Sequence, residues 1–259
     1  MLLRDIGVFL TGIFCGFLGG MFGKGGSAIA TPILSLLGLP GFVSVASPLP
    51  ATIPGTFIAS SEYWRSHLLD WEVFWWSVAV GVPATVLGSY LTQFTGSRPL
   101  LVVTALVVLG FGLSFLLMPR ERRGATETAA QTSEHRPGYW RLRLVSVAIG
   151  AGIFAGLLAN AGGLVLAPAF ARFLKQPLKQ AFACSLAVSC VLAVPGTIIH
   201  AYLGHVSWLV AVLVAIGMIP ASSLGARLAI RSECWRLERW YGLGLTALGA
   251  YFLWHVRGL

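Results

Sequence analysis

Lys24 lies in a glycine-rich and otherwise apolar run, from Gly16 to Ser27, which contains no carboxylate that could pair with it. Glycine lets the backbone bend at depths where lipid normally forbids bending, and a bent helix exposes N–H groups that bind anions. An ammonium group at bilayer depth costs at least about 2.5–3.5 kcal/mol, which a bound anion would offset. The run, with Gly20, Gly25 and Gly26, therefore indicates one arm of a buried anion site. The alternative is a shallow turn from which Lys24 extends its ammonium group to the membrane surface.

A second arm is indicated by Asn160, which precedes the pair Gly162–Gly163 much as Lys24 precedes Gly25–Gly26. An amide can hydrogen-bond an oxyanion without adding a second net charge. Short helices that begin at the two glycine pairs would direct the positive ends of their dipoles at the anion. Because the second arm has no lysine, the site is expected to be chemically asymmetric.

Small hydroxyl side chains follow each arm, in the third apolar segment of each half. They are Ser47, Thr52 and Thr56 in the first half, and Ser185, Ser189 and Thr197 in the second. Prolines in the same segments (Pro48, Pro50, Pro54 and Pro195) are expected to break the helices and free backbone groups that a cavity can use. The alternative is ordinary helix packing by small residues. His200, close to Thr197, is interpreted as an interfacial residue.

Other chemistries lack the residues they need. All nine acidic residues lie at segment ends or in loops, so no segment carries the central carboxylate typical of proton- and cation-coupled carriers. The five histidines are scattered and the four cysteines form no C-x-x-C pair, so neither a metal site, a cofactor nor a catalytic group is predicted. A membrane-embedded enzyme or sulfur-transfer subunit that uses Cys15, Cys184 or Cys190 stays open as an alternative class.

The composition is that of a polytopic membrane protein. Of 259 residues 56% are hydrophobic and only 10% charged, against roughly 25% charged in soluble domains. The mean hydropathy is +0.81. The net charge of +9 lies in loops between apolar segments, which indicates membrane topology rather than a nucleic-acid partner.

Ten apolar segments predict an all-α fold. They cover residues 5–22, 25–38, 43–62, 71–92 and 98–118, then 143–159, 162–174, 178–203, 207–229 and 237–256. The second segment of each set is shorter than the roughly 20 residues that a membrane-spanning helix needs. Each half is thus expected to hold a glycine-broken hairpin of short helices, re-entrant or fully spanning, followed by three transmembrane helices.

Five short motifs recur in the same order in both halves, which indicates an internal duplication. Examples are Gly25-Gly26 with Gly162-Gly163, Pro54-Gly55-Thr56 with Pro195-Gly196-Thr197, and Pro83-Ala84-Thr85 with Pro220-Ala221-Ser222. The predicted divisions are a first transmembrane repeat (1–118), a flexible linker (119–142) and a second transmembrane repeat (143–259). Three spans per half would make the repeats inverted. The arginine-rich linker is then cytoplasmic, and fourteen of the eighteen lysine and arginine residues fall inside.

The glycine turns, the repeated Pro-Gly-Thr and the Pro-Ala-[Thr/Ser]-x-Leu-Gly blocks together resemble the TauE/SafE family of sulfite and organosulfonate exporters, over nearly the whole chain. The resemblance implies a multi-pass carrier of small sulfur-containing anions in a bacterial or archaeal inner membrane. A lipid bilayer and the anion are the expected partners, nucleic acid is not one, and a homodimer is left open.

An inside-negative potential drives an anion outward by about 2.3 kcal/mol per 100 mV. An exporter of anions can therefore work without a coupling carboxylate, and alternating access without proton coupling is expected. An anion channel built from the same residues is a further alternative.

Overall fold

Apart from the fifth segment (98–118), much of which lies outside the described residues, the apolar segments form helices whose bounds follow the predicted ones closely. The computed structural model describes residues 2–23, 26–91, 106, 109–117, 138–157 and 162–257. All regular structure in these ranges is helical. The first half contains α1 (Leu2–Phe22), α2 (Ser27–Leu36), α3 (Gly41–Ala46), α4 (Pro48–Arg65) and α5 (Trp71–Leu91). The second contains α6 (Trp140–Leu157), α7 (Gly163–Arg172), α8 (Leu178–Tyr202), α9 (Trp208–Arg231) and α10 (Cys234–Arg257). Residues 109–117 are also helical.

Five helices of the described ranges are long and apolar enough to cross a membrane: α1, α5, α6, α8 and α9. At 1.5 Å per residue the 21 residues of α1 extend about 31 Å, whereas the 10 residues of α2 extend about 15 Å. The hairpin of the first half therefore combines one helix of full spanning length with one of half that length. The second half repeats this combination in α6, with 18 residues, and α7, with 10.

Proline breaks the third segment at one position only. Pro48 begins α4 directly after Ser47, because its missing N–H and its ring cannot continue the helix of α3. The prediction that Pro50, Pro54 and Pro195 also break their helices is wrong, since α4 and α8 continue through them. The second half has no proline at the place of Pro48, and α8 is one unbroken helix of 25 residues.

Glycines bring α1 and α9 into backbone contact along parallel paths. Successive turns face each other: Gly12 lies against Val214, Gly16 against Met218 and Gly20 against Ser222. The positions advance together along both helices, so the two run in the same direction. The helices α5 and α6 pack in the same parallel manner, with Gly152 against Gly81 and Gly156 against Thr85.

The remaining contacts between the long helices divide them into two directions. Helix α4 runs parallel to α9. Gly55 lies near Met218, and further along both helices Glu62 binds Arg227. Helix α8 runs antiparallel to α4, because Cys190 lies at Ile53 and Gly196 at Leu49. It runs parallel to α5. Thus α1, α4 and α9 run one way, and α5, α6 and α8 the other.

Basic residues collect at the end of the bundle where α4 and α9 finish. The Lys179 ammonium group donates to the Ile230 carbonyl oxygen over 2.7 Å, which places the start of α8 beside the end of α9. At the same end the Arg227 guanidinium binds Glu62, at 2.8 Å, and Ser223 donates to the same carboxylate oxygen, also at 2.8 Å. This end carries the charge pattern that the positive-inside rule assigns to the cytoplasm.

Candidate functional site

The two short helices begin in the same unusual way, each at a glycine in left-handed conformation. Gly26 precedes α2 with φ 74° and Gly162 precedes α7 with φ 77°. Neither cap supplies a side-chain hydrogen bond to its helix. Glycine is required here because other residues are strained at positive φ. The first N–H groups of a helix have no acceptor within it, so each start is a place where an anion can be bound.

The two caps also define how the halves correspond. Gly162 takes the place of Gly26, and Gly163 that of Ser27, so the predicted pairing of Gly25-Gly26 with Gly162-Gly163 is shifted by one residue. Counting back two positions from each cap leads to Lys24 and Asn160. Lys24, Gly25 and Asn160 lie outside the residues that the structure describes.

The start of α2 lies beside the body of α1 rather than at its end. A Cβ atom added to Gly26 would lie 3.0 Å from the Cys15 carbonyl oxygen, seven residues before the end of α1. Seven helical residues correspond to about 10 Å, so the chain returns to that depth before α2 begins. Helix α2 then runs back along α1, since Leu37 lies against Gly7. The positive end of α2 is therefore placed within the length of the bundle.

A small cavity lies next to this point, between α1, α4, α8 and α9. Its volume is about 160 Å³, a figure that includes the open space at its mouth. Its lining consists of Cys15, Gly16, Gly19, Gly20, Gly55, Thr56, Leu186, Met218 and Ser222. None of these side chains is charged. A ligand in it would meet glycine backbone, two hydroxyls, two sulfur atoms and the side chain of Leu186.

Two of the predicted site residues, Gly20 and Thr56, line this cavity. Gly55 and Ser222 belong to the repeated Pro-Gly-Thr and Pro-Ala-Ser motifs, and Gly16 and Gly19 to the glycine run, so a signal for each was present in the sequence. Leu186 and Met218 carried no such signal, and Cys15 was considered only for the sulfur-transfer alternative. They reach the cavity only because α1, α8 and α9 pack together.

The predicted hydroxyls divide into bonded and unbonded ones. Thr56 donates to the Thr52 carbonyl oxygen at 2.6 Å, and Thr52 donates to that of Leu49 at 2.7 Å. Ser47 accepts the Ser207 N–H at 2.9 Å and so joins the start of α9 to the junction of α3 and α4. The buried hydroxyls of Ser189 and Thr197 have no hydrogen-bond partner among the described residues.

Side chains of the third segments bind the last turns of α1 and α6. The buried Tyr63 hydroxyl donates to the Gly20 carbonyl oxygen over 3.2 Å. The His200 ring, also buried, places Nε2 3.4 Å from the Gly156 carbonyl oxygen, and its Nδ1 lies 3.4 Å from Nδ1 of His205. Ser185 donates to the Gly23 carbonyl oxygen at 2.9 Å. The backbone leading into each broken turn is thereby held by the longer helices.

The structure brings no cluster of three metal-binding side chains together within the ranges it describes. Cys15 and Cys184 are buried thiols, and Cys190 and Cys234 are partly buried ones. The Cys184 sulfur accepts a hydrogen bond from the Asp70 N–H at 3.4 Å. Cys184 therefore has a structural role in the packing of α8 against the start of α5.

Comparison with known proteins agrees with this architecture. The profile described as sulfite exporter TauE/SafE matches residues 8–252. A probable membrane transporter protein of Xylella fastidiosa is 28% identical over 94% of this chain and 93% of its own. The probable membrane transporter protein YjnA of Bacillus subtilis is 23% identical, over 88% and 91%. No solved structure matches the chain. The protein is a multi-pass membrane transporter that belongs to the TauE/SafE family.

Proposed function

We propose that this transporter exports small sulfur-containing anions, such as sulfite, sulfoacetate or related organosulfonates, by alternating access. The observation that carries the proposal is the left-handed cap at Gly26, which starts α2 within the length of α1 and beside the cavity. An anion there would be bound by backbone N–H groups at the positive end of a helix dipole. The relatives are named as transporters, and the family name supplies the class of cargo.

Lys24 and Asn160 are proposed to complete the site from the two arms. The cavity lining is uncharged, so a cation two residues before the cap would supply the positive charge that an anion needs. The remaining substrate contacts are proposed to come from both broken turns and the hydroxyls near them. These residues are Gly20, Gly25, Gly26, Ser27, Ser47, Thr52, Thr56, Gly162, Gly163, Ser189 and Thr197.

Alternating access is proposed to use two inverted repeats, 1–118 and 143–259, joined by a cytoplasmic linker at 119–142. The helix directions support this, because corresponding helices (α1 and α6, α4 and α8, α5 and α9) run opposite to each other. The contacts correspond too: α1 packs on α9 as α6 packs on α5. Rocking of such repeats would expose a central site to either side in turn.

Flux measurements in liposomes test the function and its energetics. Purified protein is expected to pass sulfite or sulfoacetate under an imposed membrane potential with no pH gradient, because the outward movement of one negative charge is itself downhill. The flux should saturate with concentration. A strict requirement for a proton gradient would contradict the uniport mechanism, and non-saturating, channel-like flux would favour an anion channel.

Replacement of Lys24 tests the central charge. Lys24→Ala is expected to weaken sulfite binding about tenfold or more, the usual effect of losing a charge-assisted hydrogen bond. Lys24→Arg, which keeps the charge, serves as the control and should retain most of the affinity. Unchanged affinity in Lys24→Ala would remove the lysine from the site.

A cysteine-free chain separates the transporter from a sulfur-transfer subunit. Replacing Cys15, Cys184, Cys190 and Cys234 by alanine or serine is expected to leave sulfite flux in place. Abolished flux in a chain that remains folded would instead support the cysteine-dependent alternative.

A further inference from the structure

Met218, on α9, has a buried side chain that lies among glycines of three other parts of the fold. Its exposed fraction is 2%. Its backbone faces Gly16 of α1, and its side chain lies against Gly55 of α4 and against the cap Gly26. It also lines the cavity. One flexible thioether is therefore shared by the cavity and the start of α2.

The distances show that this thioether occupies the space that the glycines leave. A Cβ atom at Gly55 would lie 2.7 Å from Cγ and 2.8 Å from Sδ of Met218, and one at Gly26 would lie 3.0 Å from Cε. Methionine has three rotatable side-chain bonds and fills irregular gaps. Its side chain thus takes up room between the cavity and the N terminus of α2.

The corresponding position in the second half is a glycine, and a leucine from another helix fills the space beside it. Met218 precedes Pro220 by two residues, as Gly81 precedes Pro83 in the matching motif. Gly81 has no side chain, and a Cβ atom there would lie 3.0 Å from Leu192 Cδ2 of α8. The two halves therefore fill this space from different helices, the first with Met218 of α9 and the second with Leu192 of α8.

We propose that Met218 sets the size of the anion that the cavity prefers, favouring oxyanions the size of sulfite over longer sulfonates. The inference rests on the proposed function and names its substrate class. Loss of the thioether would join the cavity to the space beside Gly26 and make room for a carbon chain.

The test compares sulfite and sulfoacetate flux in liposomes for Met218→Ala and Met218→Leu. We expect Met218→Ala to raise the ratio of sulfoacetate to sulfite flux about tenfold or more, the discrimination that a small change in pocket volume commonly gives. Met218→Leu has a side chain of similar volume and should keep the wild-type ratio. Leu192→Ala is the matched control, because it removes a buried side chain of similar size near Gly81 and the second cap. An unchanged ratio in Met218→Ala, or the same change in Leu192→Ala, would overturn the proposal.

A second measurement probes access to the cavity by chemical modification and needs no transport. It therefore tests the role of Met218 even if the wild type transports neither anion. In a chain that keeps Cys15 as its sole cysteine, this thiol lines the cavity. Met218→Ala should raise the rate of Cys15 modification by a long anionic thiol reagent relative to a short one, and Leu192→Ala should not. If the ratio of the long to the short reagent's rate is the same in all variants, the proposal is contradicted. If the only negative result is that the wild type transports neither sulfite nor sulfoacetate, only the proposed function is contradicted.

A side chain added at Gly55 would clash with Met218, and this provides a complementary pair of variants. Gly55→Ala should force Met218 aside and lower the flux of both anions, and Met218→Ala in the same chain should restore it by removing the clashing atoms. Failure of the double variant to recover, while it stays folded, would count against Met218 as the residue that fills the space.

Discussion

At the scale of single residues, the glycines of α1 and α9 permit backbone contact that no other residue would allow. A Cβ atom on Gly16 would lie 2.6 Å from the Met218 carbonyl oxygen and 2.7 Å from its Cα. Both are backbone atoms, which cannot rotate away as a side chain can. The same close approach brings Met218 and Ser222 to the cavity, so these glycines act on the site through the packing of two helices.

Gly16→Ala is therefore expected to destabilise the protein by about 1–3 kcal/mol, the usual range for overpacking. Gly150→Ala is the matched control, because a Cβ atom at that helical glycine meets nothing within 4 Å. It should be neutral or stabilising by up to about 1 kcal/mol, through helix propensity. The measurement is thermal unfolding of the purified variants in detergent. Equal loss in both would show that the close approach at Gly16 does not limit stability.

At the scale of elements, the half-length helix α2 has a left-handed glycine before it and another just after it. Gly26 and Gly38 have φ values of 74° and 77°, so alanine should strain the backbone similarly at either. They differ in surroundings, because a Cβ atom at Gly38 would meet nothing within 4 Å whereas one at Gly26 would crowd Cys15 and Met218. Comparing alanine at Gly26 with alanine at Gly38 therefore distinguishes the effect of backbone strain from the effect of crowding at the site.

We expect Gly26→Ala to abolish most sulfite flux and Gly38→Ala to retain it, although both lose comparable stability. The readouts are liposome flux and the unfolding temperature of each variant. If both variants transport like the wild type, the start of α2 is not the anion site. If Gly38→Ala loses flux equally, strain in α2 rather than crowding at its cap would be the cause.

At the scale of the whole molecule, the opposite helix directions predict which loops face which side. Helix α8 ends where α9 begins, and the start of α8 lies beside the end of α9. The end that carries Lys179, Arg227 and Arg231 is expected to be cytoplasmic. Tyr202, 91% exposed at the end of α8, then faces the outside.

Cysteine labelling in intact cells tests this orientation. In a cysteine-free chain, Tyr202→Cys is expected to react with a membrane-impermeant maleimide from outside. Ser232→Cys, after the end of α9, should react only once the membrane is permeabilised. The reverse pattern would show the opposite orientation in the membrane and would reverse the proposed direction of transport.

The sequence by itself determined the features that depend on local composition. Apolar runs predicted the helices to within a few residues, because burial in lipid requires long stretches without charge. Pro48 marks the one break in the third segment that the structure shows. The prediction of breaks at Pro50, Pro54 and Pro195 failed, because flanking residues and neighbouring helices can hold a helix together through a proline.

Only the tertiary structure decided which residues meet. Cys15, Leu186 and Met218 come from three helices far apart in the chain, and no local pattern places them around one cavity. The correspondence of Gly26 with Gly162 likewise required backbone conformation, since adjacent glycines look alike in sequence and the positive φ identifies these two as the helix caps. Ser47, predicted as a site residue, accepts a hydrogen bond from the backbone of Ser207, 160 residues away. Contacts between distant parts of the chain arise from the packing of whole helices, which is why residue types and spacing could identify the glycine turns but not the cavity beside them.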